Sequence, residues 1–386
     1  MPRFPSRCLR QIAATLFTLG LAGACAAPAR VAYTAAEQRG AVPPGFDHVR
    51  LSISDRAEAE KLVEYFRAER AARGRPLEIL SLSGGGANGA FGAGVLYGWS
   101  QHGDRPSFDI VTGISTGALA APFAFLGPAY DEALKAGYTS GQSADLLDFL
   151  GLLAFFRPSL FSGHPLERLV EGLIDDKVVA AVAKEHQGGR RLLVGTTNLD
   201  TQTLTLWDMG AIAGAGGPRA TELFRKVLIA SASVPGVFPP VMVEVEASGR
   251  RFSEMHVDGS AISSFFAVPD PLLLWTDQNA ASLKARLYVL INGALDEEFA
   301  VTPNKTLSIL ERSFDVASKT NTRTELAAVA AFAERNGLAL RVSHVPPGLN
   351  PSPLDFNQQR MTALFEQGRA AGAAGSAWGD MKDNEP

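Results

Sequence analysis

The chain has 386 residues, of which 46% are hydrophobic and 20% are charged, as in an ordinary globular protein of one large domain or two domains. Its formal net charge is −4 and its pI is near 5.9, and no run of lysines or arginines occurs. Because phosphate binding needs clustered cations, these values argue against nucleic acid as the main partner.

The first 24 residues have the pattern of a secretory signal peptide. Three arginines precede the apolar segment 12–22, which is too short to span a bilayer permanently. Small residues and then Cys25 follow, and "LAGAC" resembles a bacterial lipobox, in which the cysteine is lipidated and becomes residue one. The leucine lies one place further from the cysteine than usual, so ordinary cleavage after Ala24 or Ala29 stays open as the alternative.

Cysteine usage favours lipidation. Cys8 lies in the signal peptide, so the exported chain keeps only Cys25, which cannot form an internal disulfide. Ala26 at the next position resembles lipoproteins sent to an outer membrane. Loss of the three arginines takes the formal net charge from −4 to −7, so a lipid anchor would have to hold the protein at a membrane surface. We expect a protein anchored at the outer membrane or in the periplasm, and otherwise a secreted one.

Apolar strands and helices alternate through the middle of the chain. After a tether or surface arm (residues 26–50) and a charged amphipathic helix (55–74), buried strands alternate with helices, which favours a parallel sheet covered by helices. The predicted strands are 76–86, 108–115, 190–200, 255–260, 285–293 and 338–347, and the predicted helices are 88–101, 116–127, two within 304–337, and 355–374.

Seven glycines fall within residues 80–99, where the first of these strands meets a helix. Gly84, Gly86 and Gly89 satisfy the G-x-G-x-x-G pattern of dinucleotide-binding folds. The acid expected after the second strand of such a fold is missing, and no P-loop Gly-Lys-Ser/Thr occurs. A nucleotide-binding oxidoreductase therefore stays only as an alternative.

The next strand ends in "GISTG", residues 113–117, which is a G-x-S-x-G pattern. This pattern places Ser115 on a sharp turn from strand to helix, at a helix N-terminus that stabilises developing negative charge. Acyl transfer needs such a nucleophile and nearby backbone N–H groups for the oxyanion. The candidate base is Asp258 in "HVDGS", and His256, which shares its strand face, either assists catalysis or is structural.

Taken together, these motifs identify a resemblance to the patatin-like phospholipase family of lipid acyl hydrolases, over residues 77–295. The resemblance implies a Ser115–Asp258 dyad with no obligatory histidine, on a three-layer α/β/α sandwich with a mainly parallel sheet, acting on a lipid or fatty ester. The matching segments are Gly84-Gly85-Gly86-Ala87-Asn88-Gly89 for the oxyanion loop (Gly84, Gly85, Gly86 and Gly89), Gly113 to Gly117 for the nucleophile elbow, Asp258-Gly259 for the base, and residues 230–241.

Two positions depart from the family pattern. Asn88 stands where the family commonly has Arg or Lys, which puts in doubt a preference for anionic phospholipids over neutral esters. Ser260 stands where the family usually has Gly or Ala after Asp-Gly. A non-catalytic envelope lipoprotein on a hydrolase scaffold is a further alternative, against which the intact Ser115 and Asp258 speak.

The remaining segments complete the predicted organisation. The very apolar stretch 146–161 is either a buried helix or a wall or flap of an acyl-chain groove. We expect a signal peptide (1–24), a tether and helical arm (25–76), a catalytic domain (77–295) and an extension packed on the core (296–386). No metal-ligand spacing and no calcium loop occur, so no cofactor and no metal are expected, and nothing indicates the oligomeric state.

Overall fold

The computed structural model describes residues 30–51, 56–141, 146–147, 159–273, 284–349 and 352–380. Within them the strands are β1 Arg50–Leu51, β2 Leu77–Leu82, β3 Ile110–Ile114, β4 Arg191–Asn198, β5 Thr203–Asp208, β6 Val241–Ala247, β7 Arg250–Asp258, β8 Ala285–Ile291, β9 Ala339–His344 and β10 Gly379–Asp380. The helices are α1 Ala35–Arg39, α2 Arg56–Arg73, α3 Gly89–His102, α4 Thr116–Leu126, α5 Asp131–Thr139, α6 His164–Leu173, α7 Asp176–Gln187, α8 Met209–Gly214, α9 Gly217–Ser231, α10 Asp270–Leu273, α11 Thr306–Arg335 and α12 Gln358–Ala373.

The strands form one sheet in the order β1-β5-β4-β3-β2-β8-β9-β10. Its central strands β4, β3, β2, β8 and β9 are parallel, and the outer pairs are antiparallel. The hairpin of β6 and β7 joins the sheet where β7 pairs with the end of β4. Parallel strands end at the same edge of a sheet, so the loops after β2 and β3 lie side by side.

Helices cover both faces of the sheet, as strand β8 illustrates. Its residues Leu287, Val289 and Ile291 pack in a cluster with Leu326 and Val329 of α11. The residues that alternate with them, Tyr288 and Leu290, belong to the larger cluster that contains α3, α4 and α9. Successive side chains of a strand point to opposite faces, so these two clusters are separate layers. The predicted three-layer α/β/α sandwich with a mainly parallel sheet is confirmed.

One secondary-structure prediction was wrong. Residues 304–337 contain one helix of 30 residues, α11, instead of two. The run of Thr and Asn near its middle suggests a break, but these hydroxyls donate to carbonyls one turn earlier, such as Thr322 Oγ1 to Ser318 O at 2.8 Å. The Asn321 amide points away from the helix axis, to Ile262 O at 3.1 Å. Since neither Gly nor Pro interrupts the segment, the helix continues.

The C-terminal helix α12 packs closely on α3. A Cβ atom on Gly94 of α3 would lie 2.0 Å from the carbonyl oxygen of Phe365, and one on Gly98 would lie 2.1 Å from that of Arg369. The two helices are therefore in backbone contact. Part of the glycine-rich run thus serves helix packing and not the site.

The N-terminal arm, residues 30–51, lies along the β6–β7 hairpin. Val42 pairs with Glu246, the Tyr33 ring stacks on Phe252 with centroids 4.2 Å apart, and Arg30 forms an ion pair with Asp200. Cys25 and the signal peptide lie outside the described residues.

Candidate active site

Ser115 lies at the turn between β3 and α4, with φ 56° and ψ −126°. A positive φ is rare for a residue with a side chain and is found at functional turns. Its N–H donates to Ser231 Oγ at 3.0 Å, and the Ser231 hydroxyl donates to Gly195 O at 2.7 Å. The turn is thus held by α9 and β4, and Oγ of Ser115 stays available for chemistry.

Asp258, the last residue of β7, is the hydrogen-bond partner of that Oγ. The Ser115 hydroxyl donates to Asp258 Oδ2 at 2.6 Å. The other carboxylate oxygen, Oδ1, accepts from the N–H of Ser260 at 2.8 Å and from its hydroxyl at 2.5 Å. Every hydrogen bond to this carboxylate therefore orients Oδ2 toward the nucleophile.

Strand β4 explains why two residues 143 positions apart meet. Along the edge of β4 that faces away from β5, Gly195 lies opposite Ile114 of β3 and the next residue, Thr196, lies opposite Asp258 of β7. Adjacent residues of one strand thus fix the positions of the nucleophile turn and of the candidate base. Backbone ladders, and not flexible loops, set the distance between the two side chains.

Burial controls the acidity of the candidate base. Asp258 has no solvent-exposed surface. Burial raises its pKa to about 6, although the hydrogen bonds from Ser115 and Ser260 act in the opposite direction. A carboxylate with this pKa accepts a proton more readily than an exposed aspartate and is still ionised near neutral pH.

The glycine loop after β2 faces Ser115. Gly84 lies against the nucleophile, since a Cβ atom there would be 3.2 Å from Ser115 Cβ. Its N–H donates to Ser264 O at 3.0 Å, and the N–H of Gly89 is engaged with Gly86 O. The N–H groups of Gly85 and Gly86 have no acceptor among the described residues. Of the four glycines predicted for the oxyanion loop, these two have N–H groups free for a ligand.

Sequence reasoning missed the residue that supports this loop from behind. Asn292, directly after β8, donates through its side-chain amide to Ser83 O at 2.7 Å, and its N–H donates to Ser83 Oγ at 2.8 Å. Its carbonyl lies against Gly85. The only signal in the sequence is its place at the end of a buried strand, and the pairing of β8 with β2 was not predicted.

A cavity of about 590 Å³ opens onto Ser115 and the glycine loop. Its lining combines an apolar wall with mostly polar residues of α11, so it can hold a molecule with an apolar chain and a polar end. The apolar wall includes Leu119, Leu160, Leu166, Val237, Phe238 and Leu354, and α11 contributes Ser313, Phe314, Asp315, Ser318, Lys319 and Thr322. Most of the apolar segment 146–161 lies outside the described residues.

His256 is not directed toward the Ser115–Asp258 pair. It is fully buried, with Nε2 3.2 Å from Glu254 Oε2 and Nδ1 2.9 Å from Thr196 Oγ1. Glu254 is also paired with Arg50 of the arm at 2.9 Å, and Trp207 donates to the Thr196 hydroxyl at 2.8 Å. Burial lowers the pKa of His256. With both ring nitrogens engaged elsewhere, the geometry favours the structural interpretation of this histidine.

Within the described residues, no group of three or more His, Cys, Asp or Glu side chains is placed to hold a metal ion. The same part of the chain contains no helix that combines the length and the hydropathy needed to cross a bilayer.

The central part of the chain matches a known protein family. Residues 80–269 match the family model described as patatin-like phospholipase, and this match supports lipid acyl hydrolysis at the level of the family. The solved structure of VipD from Legionella pneumophila is similar, with a TM-score of 0.38 and 12% sequence identity, over 78% of this chain and 67% of that one. No curated protein sequence matches the chain.

Proposed function

We propose, from the match of residues 80–269 to the patatin-like phospholipase family, that this chain is a serine hydrolase that cleaves fatty acyl esters of lipids, phospholipids included. The observation that carries the proposal is the 2.6 Å hydrogen bond from Ser115 Oγ to buried Asp258, beside a cavity with an apolar wall. The pair acts as nucleophile and base without a histidine.

In the acylation half of the reaction, Ser115 Oγ attacks the ester carbonyl carbon while its proton passes to Asp258 Oδ2. The carbonyl oxygen becomes an oxyanion, which accepts hydrogen bonds from the N–H groups of Gly85 and Gly86. When the tetrahedral intermediate collapses, the bond to the alcohol breaks and Asp258 returns the proton to the leaving oxygen. The products are a free alcohol or lysolipid and an acyl-serine.

Deacylation repeats these steps with water. Asp258 takes a proton from the water that attacks the acyl carbon, and the second oxyanion is held by the same N–H groups. Collapse breaks the bond to Ser115 Oγ, which takes the proton back from Asp258. A fatty acid leaves and the starting enzyme is restored.

A panel of purified lipids, assayed without added calcium, tests this proposal. We expect release of fatty acid from long-chain esters and labelling of Ser115 by a fluorophosphonate serine probe. Neutral diacylglycerol and phospholipids of different charge belong in the same panel, because Asn88 supplies no cation beside the glycine loop. A chain that binds lipid but neither releases fatty acid nor reacts with the probe would be a non-catalytic lipoprotein.

The pH dependence of the reaction is expected to follow Asp258. Hydrolysis requires the ionised carboxylate, whose pKa is about 6, so kcat/KM should fall as the pH drops through about 6. The Ser260 hydroxyl stabilises the ionised form. Ser260→Ala removes that bond, raises the pKa of Asp258, and should move the acidic limb up by about one pH unit.

The measurement is a pH–rate profile on a soluble short-chain ester. Ser313→Ala is the matched control, because Ser313 lines the same cavity but does not contact Asp258. An acidic limb at the same pH in Ser260→Ala and in wild type would show that this hydroxyl does not act on the base.

We further propose that the protein is exported and held at a membrane by lipid on Cys25. The basis is the sequence alone: the signal pattern, the "LAGAC" segment and a single remaining cysteine. Several acyl chains on one residue anchor firmly, whereas one chain anchors weakly.

Cys25→Ser is therefore expected to move the protein from the membrane fraction to the soluble periplasmic or secreted fraction. Activity on a short soluble ester should not change, while activity on bilayer lipid should fall because the anchor raises the local enzyme concentration. Cell fractionation and intact mass of the mature N-terminus decide the matter. An unmodified N-terminus at Cys25, Ala27 or Arg30 would contradict the anchor and leave a secreted hydrolase.

A further inference from the structure

A carboxylate from helix α11 contacts the loop that follows Asp258. Glu325 belongs to α11, which is outside the segment that matches the family model. It does not line the cavity, and the proposed reaction does not use it.

Glu325 binds the loop that follows Asp258. Its Oε2 accepts from the N–H of Ser264 at 2.9 Å, and the neighbouring Ser263 hydroxyl donates within the loop, to Phe265 O at 2.7 Å. One helical turn earlier, the Asn321 amide donates to Ile262 O at 3.1 Å and to Glu325 Oε1 at 3.3 Å. Helix α11 therefore holds this loop through a convergent set of polar contacts.

Ser264 connects that loop to the glycine loop. The same residue that donates its N–H to Glu325 accepts from the N–H of Gly84 through its carbonyl, at 3.0 Å. The backbone of Ser264 joins these two hydrogen bonds mechanically, and Gly84 at their end lies against Ser115. A change at Glu325 is thus transmitted along two hydrogen bonds to the start of the glycine loop.

The charge of Glu325 matters for this role. An ionised carboxylate only accepts hydrogen bonds, and it therefore suits the donors that surround Glu325. A protonated carboxyl group would direct its own hydrogen atom toward those donors. Burial, with a smaller effect of the charge of Asp270 at the start of α10, raises the pKa of Glu325 to about 7, although the hydrogen bonds to its carboxylate act in the opposite direction.

We propose that Glu325 is a positioning residue for the oxyanion loop, which it fixes, in its ionised form, through Ser264 and Gly84. This inference rests on the proposed hydrolase function. The residue does not touch substrate, so its effect belongs in kcat and not in KM.

The test is Glu325→Gln, which keeps the shape of the side chain and removes its charge. We expect kcat on a soluble ester to fall about tenfold with KM unchanged. In wild type, protonation of Glu325 should lower kcat/KM by the same tenfold as the pH drops through about 7, before the further fall that follows Asp258 at about 6. In Glu325→Gln the profile should show only the fall at about 6. Glu334→Gln, an exposed position on the same helix, is the matched control and should behave as wild type.

Each outcome decides the inference. Wild-type kcat in Glu325→Gln, or a tenfold fall through about pH 7 that survives in it, overturns the positioning role. If the variant fails to fold, the wild-type profile decides alone, since a single fall near pH 6 contradicts a role of the ionised form and an additional tenfold fall near pH 7 supports it. If the wild-type protein neither cleaves esters nor reacts with the serine probe, the result contradicts the proposed hydrolase function itself and not the role of Glu325 within it.

Discussion

Ser115→Ala and Asp258→Asn are each expected to reduce ester hydrolysis by about 10⁴-fold or more. The first substitution removes the nucleophile, and the second removes the acceptor of its proton while keeping the size of the side chain. Because the two groups act as one unit, the double variant should be hardly less active than either single variant. The measurement is kcat/KM on a short-chain ester, with thermal unfolding to verify that each variant folds.

His256→Gln is the control for this prediction. The histidine shares a strand with Asp258, but its hydrogen bonds go to Glu254 and Thr196. An amide can replace part of those bonds, so the folded variant should retain most of the activity. If His256→Gln were as damaging as Asp258→Asn, the dyad would have to be replaced by a triad.

Gly85→Ala and Gly86→Ala are expected to lower kcat by about 10²-fold or more, the size of the loss of one oxyanion donor. Gly85 has φ +151° and Gly86 has φ +55°, conformations that side chains rarely adopt. A Cβ atom on Gly85 would lie 1.9 Å from Asn292 O, and one on Gly86 would lie 2.0 Å from Pro353 O. Either substitution therefore displaces the loop and its N–H groups from the oxyanion position.

In these variants the affinity for substrate should fall much less than kcat, because the oxyanion exists only during the reaction. Gly103→Ala is the matched control. Its φ is +96°, so the substitution introduces backbone strain as at Gly85 and Gly86, but a Cβ atom there meets nothing within 4 Å. Equal losses in binding and in turnover for the loop variants would indicate a resident ligand, such as a nucleotide, in place of a transient anion.

The glycine loop and the nucleophile turn, each of which lies within one short segment, were predictable from the sequence. The strands that end at Leu82 and Ile114 are runs of apolar residues, and the glycine loop and "GISTG" follow them directly. Parallel strands place such loops at one edge, so their proximity follows from the pattern. Asp258 was a candidate base from its place before a glycine in "HVDGS", and the family resemblance paired it with Ser115. The contact itself could not be derived from the pattern, because it depends on how β4 pairs with β3 and β7.

The residues that support the site could not be predicted, because their roles depend on contacts across the fold. Glu325 and Asn321 have the same appearance in the sequence as other polar residues of a surface helix, and Asn292 is an isolated asparagine after a strand. Ser260 was noticed only as a small residue, yet its hydroxyl lies 2.5 Å from Asp258 Oδ1. Burial and partner geometry, which a pattern does not encode, give these residues their chemistry.

The contacts of the N-terminal arm also bear on the order of folding. Arg30 and Arg50 find their partners 170 and 204 residues later in the chain, at Asp200 and Glu254. Contacts of such sequence separation form slowly, and a chain synthesised from its N-terminus contains neither partner when the arm is made. Until β7 is in place, the arm has no surface on which to dock, and Glu254 and His256 lack the guanidinium of Arg50. Docking of the first described segment of the chain is therefore a late step of folding.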